Sequence, residues 1–245
     1  MYKLIFFDTE TTGNTEKDFL IQLAYKTDTD NFTGLYKPEI KIPPEASAIH
    51  HITNKMVADK QVFQESSEYT KIKELFEGTD SVVVAHNALF DLMVIEKESI
   101  VPQNFICTLR LARHLDTEEK IEKYNLQYLR YLLDLDVEAT AHDAMGDVLV
   151  LEKLFERLKK KMEEEVAPTP EGVGVTTESV VKKMIEISSH PSIFTKINFG
   201  KYSGKRIEEV VKIDKGYLEW LLGEKEKSDV IDEDWIYTLK HYLNK

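Results

Sequence analysis

The first apolar run, Tyr2-Lys3-Leu4-Ile5-Phe6-Phe7, is interrupted only by Lys3 and reads as a buried strand that stops at Asp8. Phe19 to Tyr25 and Phe32 to Tyr36 read as two further strands, and the polar turn from Thr27 to Asn31 makes them a hairpin. Residues 38–49 hold Pro38, Pro43 and Pro44 and read as a loop; Thr53 is placed to cap a short helix reaching Val57. Helical spacing of apolar residues from Ser66 to Phe76 predicts a helix, stopped at Gly78. Ser81 to Ala85 is the next buried strand, ending at His86-Asn87, and Ala88 to Glu98 reads as a helix with Asp91 in its first turn. Phe105 to Cys107 is a short strand, followed by a helix from Thr108 to His114. Leu126, Leu129, Leu132 and Leu133 form a helical stripe between Asn125 and Asp134. A long helix is predicted from Thr140 towards Met162, with Ala144, Val148, Leu151, Leu154, Phe155 and Leu158 along its apolar face.

Residues 166–175 lack any period and contain two prolines and two glycines, which reads as a linker. It would separate a first domain, 1–165, from a small second one, 176–245. The second holds a helix from Glu178 to Ile187, a glycine-rich basic turn, and helices around Gly216 to Leu222 and Asp234 to Leu243.

A chain of 245 residues has room for this division, and its 42% apolar and 31% charged residues are ordinary for a soluble globular protein. No apolar run is long enough to cross a bilayer, and the first is cut at Asp8, so neither a membrane partner nor a signal peptide is expected. Cys107 is the only cysteine; with no internal disulfide to form, the chain suits a reducing cytoplasm. The net charge of -12 falls entirely before residue 176, because the segment after it is balanced. That argues against a nucleic-acid partner held by bulk charge, unless divalent cations occupy the acidic groups.

Candidate chemistry begins where the first strand ends. In an extended chain, residues two apart point to the same side, so Asp8 and Glu10 face one way and would repel each other unless a cation sat between them. Thr11, Thr12 and Gly13 then supply turn chemistry. Alone, this segment is equally a strand capped by a solvated acidic turn. Taken singly, Asp91 after the buried strand and His142 and Asp147 near the start of the long helix read better as ordinary capping or surface positions than as catalytic groups.

Together they resemble one family. Phe7-Asp8-Thr9-Glu10-Thr11-Thr12-Gly13, then His86-Asn87-Ala88-Leu89-Phe90-Asp91, then His142 with Asp147 five residues later, are similar to the three sequence blocks of the DnaQ-like 3′-5′ exonucleases. The branch is the one whose fifth residue is histidine (DEDDh); the tyrosine branch would place its residue at Asp143. Within the family the likeness is to the group of exonuclease X and the proofreading epsilon subunit of bacterial DNA polymerase III. The resemblance implies an α/β, RNase H-like fold: a mixed five-stranded sheet flanked by helices, with a small C-terminal α+β domain. It implies two Mg2+ or Mn2+ ions held by Asp8, Glu10, Asp91 and Asp147, and His142 as general base, a role suited to a side chain with an ordinary pKa of about 6.5. The implied reaction is release of nucleoside 5′-monophosphates from the 3′ ends of single-stranded DNA. RNA ends are an alternative substrate, a DNA polymerase is an implied partner, and a polymerase-associated module that binds nucleic acid without turnover is the alternative from another class.

Thr11 and Gly13 are expected to let the backbone approach the terminal nucleotide, His51 to pack near its base, and Asn87 and Phe90 to touch sugar or base, Phe90 being equally a core residue. Cys107 reads as a buried small hydrophobe. In the second domain, Phe199-Gly200-Lys201 through Gly204-Lys205-Arg206, with Tyr217-Leu218-Glu219-Trp220-Leu221 downstream, resembles the small domain that follows the nuclease in exonuclease X-like proteins. Lys201, Lys205 and Arg206 are candidates for gripping phosphates. The competing reading is a glycine-rich hairpin whose aromatics pack under Trp220.

Overall fold

The computed structural model describes residues 2–139, 141–166, 176–230 and 232–245. They form two compact units, Met1–Ser189 and His190–Lys245.

The first unit is built on a five-stranded sheet, β1 (Lys3–Thr11), β2 (Leu20–Lys26), β3 (Asn31–Leu35), β4 (Ser81–Ala85) and β5 (Phe105–Cys107), in the order β3-β2-β1-β4-β5. The β1-β2 and β2-β3 pairings are antiparallel, and β1-β4 and β4-β5 are parallel, so the sheet is mixed and β1 is central. The hairpin turn closes through Thr27 N–H to the Asp30 carbonyl, 2.7 Å.

Alternation along β1 sorts the two layers. Phe6 faces one core with Phe155, ring centroids 5.2 Å apart, together with Leu111, Leu129, Leu151 and Leu154. Ile5 and Phe7 face the other, where Phe7 meets Phe76 edge-on at 5.2 Å, beside Val83, Val94 and Ile95. The first layer consists of α5 (Thr108–Leu115), α6 (Leu126–Leu132), the long α7 (Ala144–Glu165) and α8 (Thr177–Ser188). The second consists of α3 (Tyr69–Phe76) and α4 (Ala88–Lys97). Two short helices, α1 (Pro44–His50) and α2 (Asn54–Val57), close a smaller cluster over Ile21 with Ile42, Ala46, Ile52 and Val57.

Three differences from the sequence reading have clear causes. Residues 38–49 are not all loop, because Pro44 opens α1 at a first-turn position where proline loses no hydrogen bond. The helix α7 starts at Ala144, since Asp143 caps it by accepting from Gly146 N–H at 3.2 Å. Thr140, the expected start, lies outside the described residues, as do 167–175 of the expected linker. The third concerns the boundary between units. Helix α8 was expected in the second domain, but Val180, Val181 and Met184 lie in the first unit's core, and the Ser188 hydroxyl accepts from Cys107 N–H at 2.8 Å. The division falls after Ser189 rather than across 166–175.

The second unit contains α9 (Ile207–Ile213), α10 (Lys215–Lys227) and α11 (Glu233–Leu243). Its β component, among the described residues, is one antiparallel bridge, Lys196 with Arg206. The aromatics gather on Trp235, which is buried and lies 4.7 Å from Phe194 and 5.1 Å from Phe199 between ring centroids. Trp220, which the competing hairpin reading places over them, is 56% exposed.

Candidate active site

Strand β1 delivers the first two acidic groups. Phe6 faces α7, so Asp8 and Glu10, two and four residues on, face it as well. They pair across to Ala24 and Gln22 of β2, and the register shifts immediately after Glu10. Asp147 lies on the first turn of α7. One carboxylate oxygen from each of Asp8, Glu10 and Asp147 lies within 4.8 Å of the other two. Among the described residues, no lysine or arginine forms an ion pair with any of the three.

Asp91 reaches the same place from the other layer. Thr9, on the opposite face of β1, donates to its Oδ1 twice, from the backbone N–H at 3.0 Å and from the hydroxyl at 2.7 Å. Asp91 therefore stands beside Asp8, outside the three-carboxylate group, with one oxygen fixed by the strand.

Crowding buried carboxylates raises their pKa values, first because burial penalises charge and then because like charges repel. Burial, followed by Asp91, Glu10 and Asp147, holds Asp8 well above the usual range. Burial and the charges of Asp147 and Asp91 push Glu10 up to about 8. Burial pushes Asp91 to about 7 against the opposing Thr9 bonds. Asp147 is raised by burial, opposed by bonds from His142 and Gln127. An all-oxygen donor set whose own chemistry disfavours its charged form fits hard divalent cations such as Mg2+ or Mn2+.

His142 is exposed and precedes α7 with a positive φ of 59°. Its backbone N–H donates to Asp147 Oδ2 at 3.0 Å, and its imidazole lies close enough to favour that carboxylate's ionised form. The left-handed backbone turn sets the imidazole beside the acidic group without making it part of the helix.

The expected substrate residues scatter more. Thr11 is buried, with its hydroxyl donating to the Gly13 carbonyl. Gly13 is small for an internal reason: a Cβ there would lie 2.5 Å from Asp18 Oδ1. The Asp18 carboxylate accepts from the Thr12 hydroxyl at 2.8 Å and from Thr15 N–H at 2.9 Å, holding the turn together. Gly13→Ala is expected to cost about 1–3 kcal/mol, lowering Tm by roughly 2–10 °C in thermal melts. His51 is exposed in a left-handed cap of α1, and the neighbouring His50, buried, accepts from Ile52 N–H at Nδ1, 3.0 Å. Asn87 is exposed at φ 59°, while Phe90 packs half-buried against the second core. In the second unit Lys205 and Arg206 are exposed, but Lys201 is engaged: its ammonium lies 2.9 Å from Asp214 Oδ2. The Tyr202 hydroxyl and that ammonium hold Asp214 at about 2.

Sequence reasoning missed Gln22, Gln127 and Thr9. Gln22 ties β2 to the start of α7, accepting from Ala144 N–H at 3.2 Å and donating to Asp143 at 3.3 Å. Nothing in the linear pattern marks a lone glutamine. Thr9 carried a usable signal, since a hydroxyl between two acidic strand residues faces the opposite layer.

A mixed sheet with a carboxylate cluster at the end of its central strand defines a nuclease of the RNase H-like class. The Exonuclease family model matches residues 5–155, and an Exodeoxyribonuclease X-like C-terminal model matches 197–226. Exodeoxyribonuclease 10 of Escherichia coli K12 is 31% identical over 210 residues, covering 85% of this chain and 83% of that protein. DNA polymerase III subunit epsilon of Treponema pallidum is 33% identical over 162 residues, covering 61% of this chain and 73% of that one. The structure of exonuclease X in complex with 5′ overhanging duplex DNA has 28% identity and a TM-score of 0.56, over 77% of this chain and all of that one. The chain belongs to the DnaQ-like exonuclease family. No helix among the described residues is long and apolar enough to cross a membrane.

Proposed function

We propose that this protein is a metal-dependent 3′-5′ exodeoxyribonuclease that releases nucleoside 5′-monophosphates from single-stranded DNA ends. The observation that carries the reading is the approach of Asp8, Glu10 and Asp147 to within 4.8 Å with, among the described residues, no lysine or arginine ion-paired to them. In it, Asp8, Glu10 and Asp147 would hold two Mg2+ or Mn2+ ions, with Asp91 supporting from beside Asp8. Cations so bound supply Lewis-acid stabilisation of the phosphate oxygens and a water acidic enough to ionise near neutral pH. His142 takes the proton of the attacking water on a ring nitrogen and, being exposed on a turn, passes it to solvent. Thr9 keeps Asp91 oriented, and the His142 amide does the same for Asp147.

DNA is favoured as substrate because relatives are named exodeoxyribonuclease or solved with DNA. Nothing in the site residues reads a ribose 2′-hydroxyl, so RNA is the runner-up. End-labelled single-stranded DNA, a duplex with a 5′ overhang, and RNA are each incubated with Mg2+, Mn2+ or EDTA. Stepwise shortening from the 3′ end of DNA, abolished by EDTA, is expected. No cleavage in either metal sinks the reading, and faster trimming of RNA selects the runner-up.

Lys205 and Arg206 are proposed to grip the substrate strand through its phosphates, with Lys201 a weaker candidate because Asp214 occupies it. Lys205→Glu with Arg206→Glu is expected to raise KM for single-stranded DNA at least about fivefold and to lower the salt dependence of binding by about two counterions. Unchanged affinity would remove the second unit from substrate binding. A DNA polymerase is the partner that the epsilon relative's name suggests, and co-elution with one is the direct test.

A further inference from the structure

Helix α6 carries two side chains that the proposed chemistry does not use, yet they lead directly to its centre. Gln127 donates from Nε2 to Asp147 Oδ1 at 2.5 Å, while its Oε1 accepts from Arg130 Nη1 at 3.3 Å. Arg130 also donates from Nη1 to the Ala139 carbonyl at 3.1 Å and from Nη2 to the Val137 carbonyl. Those two carbonyls lie on the segment that leads into His142, whose N–H is fixed on the other Asp147 oxygen at 3.0 Å.

Two arms therefore run from Arg130: one through Gln127 to Asp147 Oδ1, the other to carbonyls three and five residues before His142, whose N–H meets Asp147 Oδ2. Each Asp147 oxygen has one donor from the chain, which fixes the carboxylate plane, and each retains acceptor capacity towards Asp8 and Glu10. Arg130, a donor only, settles which end of the Gln127 amide faces Asp147. Its planar fork suits the task because it reaches two carbonyls and an amide oxygen at once, which a lysine ammonium on a single stem does not.

We propose that Gln127 and Arg130 are positioning residues that set both the affinity of the acidic cluster for a divalent cation and the placement of His142. The inference rests on the metal-dependent reading above. Groups that orient a metal ligand typically contribute 10–100-fold to affinity or activity.

The test uses the full-length chain, with Mn2+ as the probe, followed by electron paramagnetic resonance without substrate. Gln127→Leu is expected to weaken Mn2+ binding at least about tenfold. In saturating Mn2+ it should lower kcat while leaving KM for single-stranded DNA within about twofold, because no substrate contact is lost. Arg130→Lys keeps the charge but not the fork; it is expected to speed hydrogen exchange at the His142 amide and to displace the pH profile of kcat. Thermal melts identify variants that fold.

Folded Gln127→Leu binding Mn2+ like wild type, or Arg130→Lys with unchanged exchange and pH profile, would overturn the inference. If Gln127→Leu does not fold, Arg130→Lys decides alone, because its readouts need no loss of packing. Wild type that binds no Mn2+, or cleaves equally in EDTA, would instead sink the metal-dependent reading itself.

Discussion

An Asp8→Asn variant is expected to lose at least about 1,000-fold in kcat, equivalent to roughly 4 kcal/mol of transition-state stabilisation, and to melt at a higher temperature than wild type in EDTA. The two effects share one origin. The carboxyls at the end of β1 have folded-state pKa values above their ordinary ones; Glu10 rises from 4.5 to about 8. Groups shifted upward support the fold while protonated and lose that contribution as pH rises through the interval. Without metal, wild type should therefore weaken as pH climbs from about 5 to about 8, and Asp8→Asn should weaken less because one repelling charge is gone. The gap at pH near 8 is expected to be about 1–3 kcal/mol, or roughly 2–8 °C in Tm. Added Mn2+ should reverse the order by stabilising wild type alone. Calorimetric scans at several pH values, with EDTA or Mn2+, measure both halves. Equal melting of the two proteins in EDTA at every pH would show that the cluster carries no such strain.

Replacing His142 should have the second largest effect, with a different signature. A loss of roughly 100- to 10,000-fold in kcat is expected for removal of a general base. Mn2+ affinity should stay within about twofold, since the bond to Asp147 Oδ2 comes from the backbone N–H rather than the imidazole. Asparagine is the informative replacement because residue 142 sits at φ 59°, a region asparagine tolerates better than alanine. Parallel loss in His142→Asn and His142→Ala would assign the effect to the imidazole, and full activity in the asparagine variant would remove the histidine from proton transfer.

Much of this site could be read from the linear chain because the chemistry follows the period of a strand. Two carboxylates at i and i+2 face one layer by necessity, and the apolar stripe of α7 then identifies that layer as the one bearing Asp147. Asp91 and Thr9 belong to the opposite layer by the same alternation. What escaped the sequence depends on contacts between distant segments. Gln127 matters only because α6 packs where it reaches Asp147, 20 residues later. Gly13 reads as a site for backbone approach to a ligand, whereas the space it leaves is filled by Asp18. Helix α1 was hidden by its prolines, and α8 was assigned to the wrong side of a proline-rich stretch because composition marks a break in the chain, not the place where packing resumes.

The position of α8 also bears on how the sheet ends. Strand β5 is the outermost on its side, and its Cys107 N–H is met by the Ser188 hydroxyl instead of another strand. Arg110 Nη1 adds a bond to the Ser188 carbonyl at 2.8 Å, fastening the helix terminus over that margin. A bare strand margin invites pairing with a neighbouring molecule. The helix terminus is thus a selvage for the sheet, occupying a backbone donor that an added strand would need.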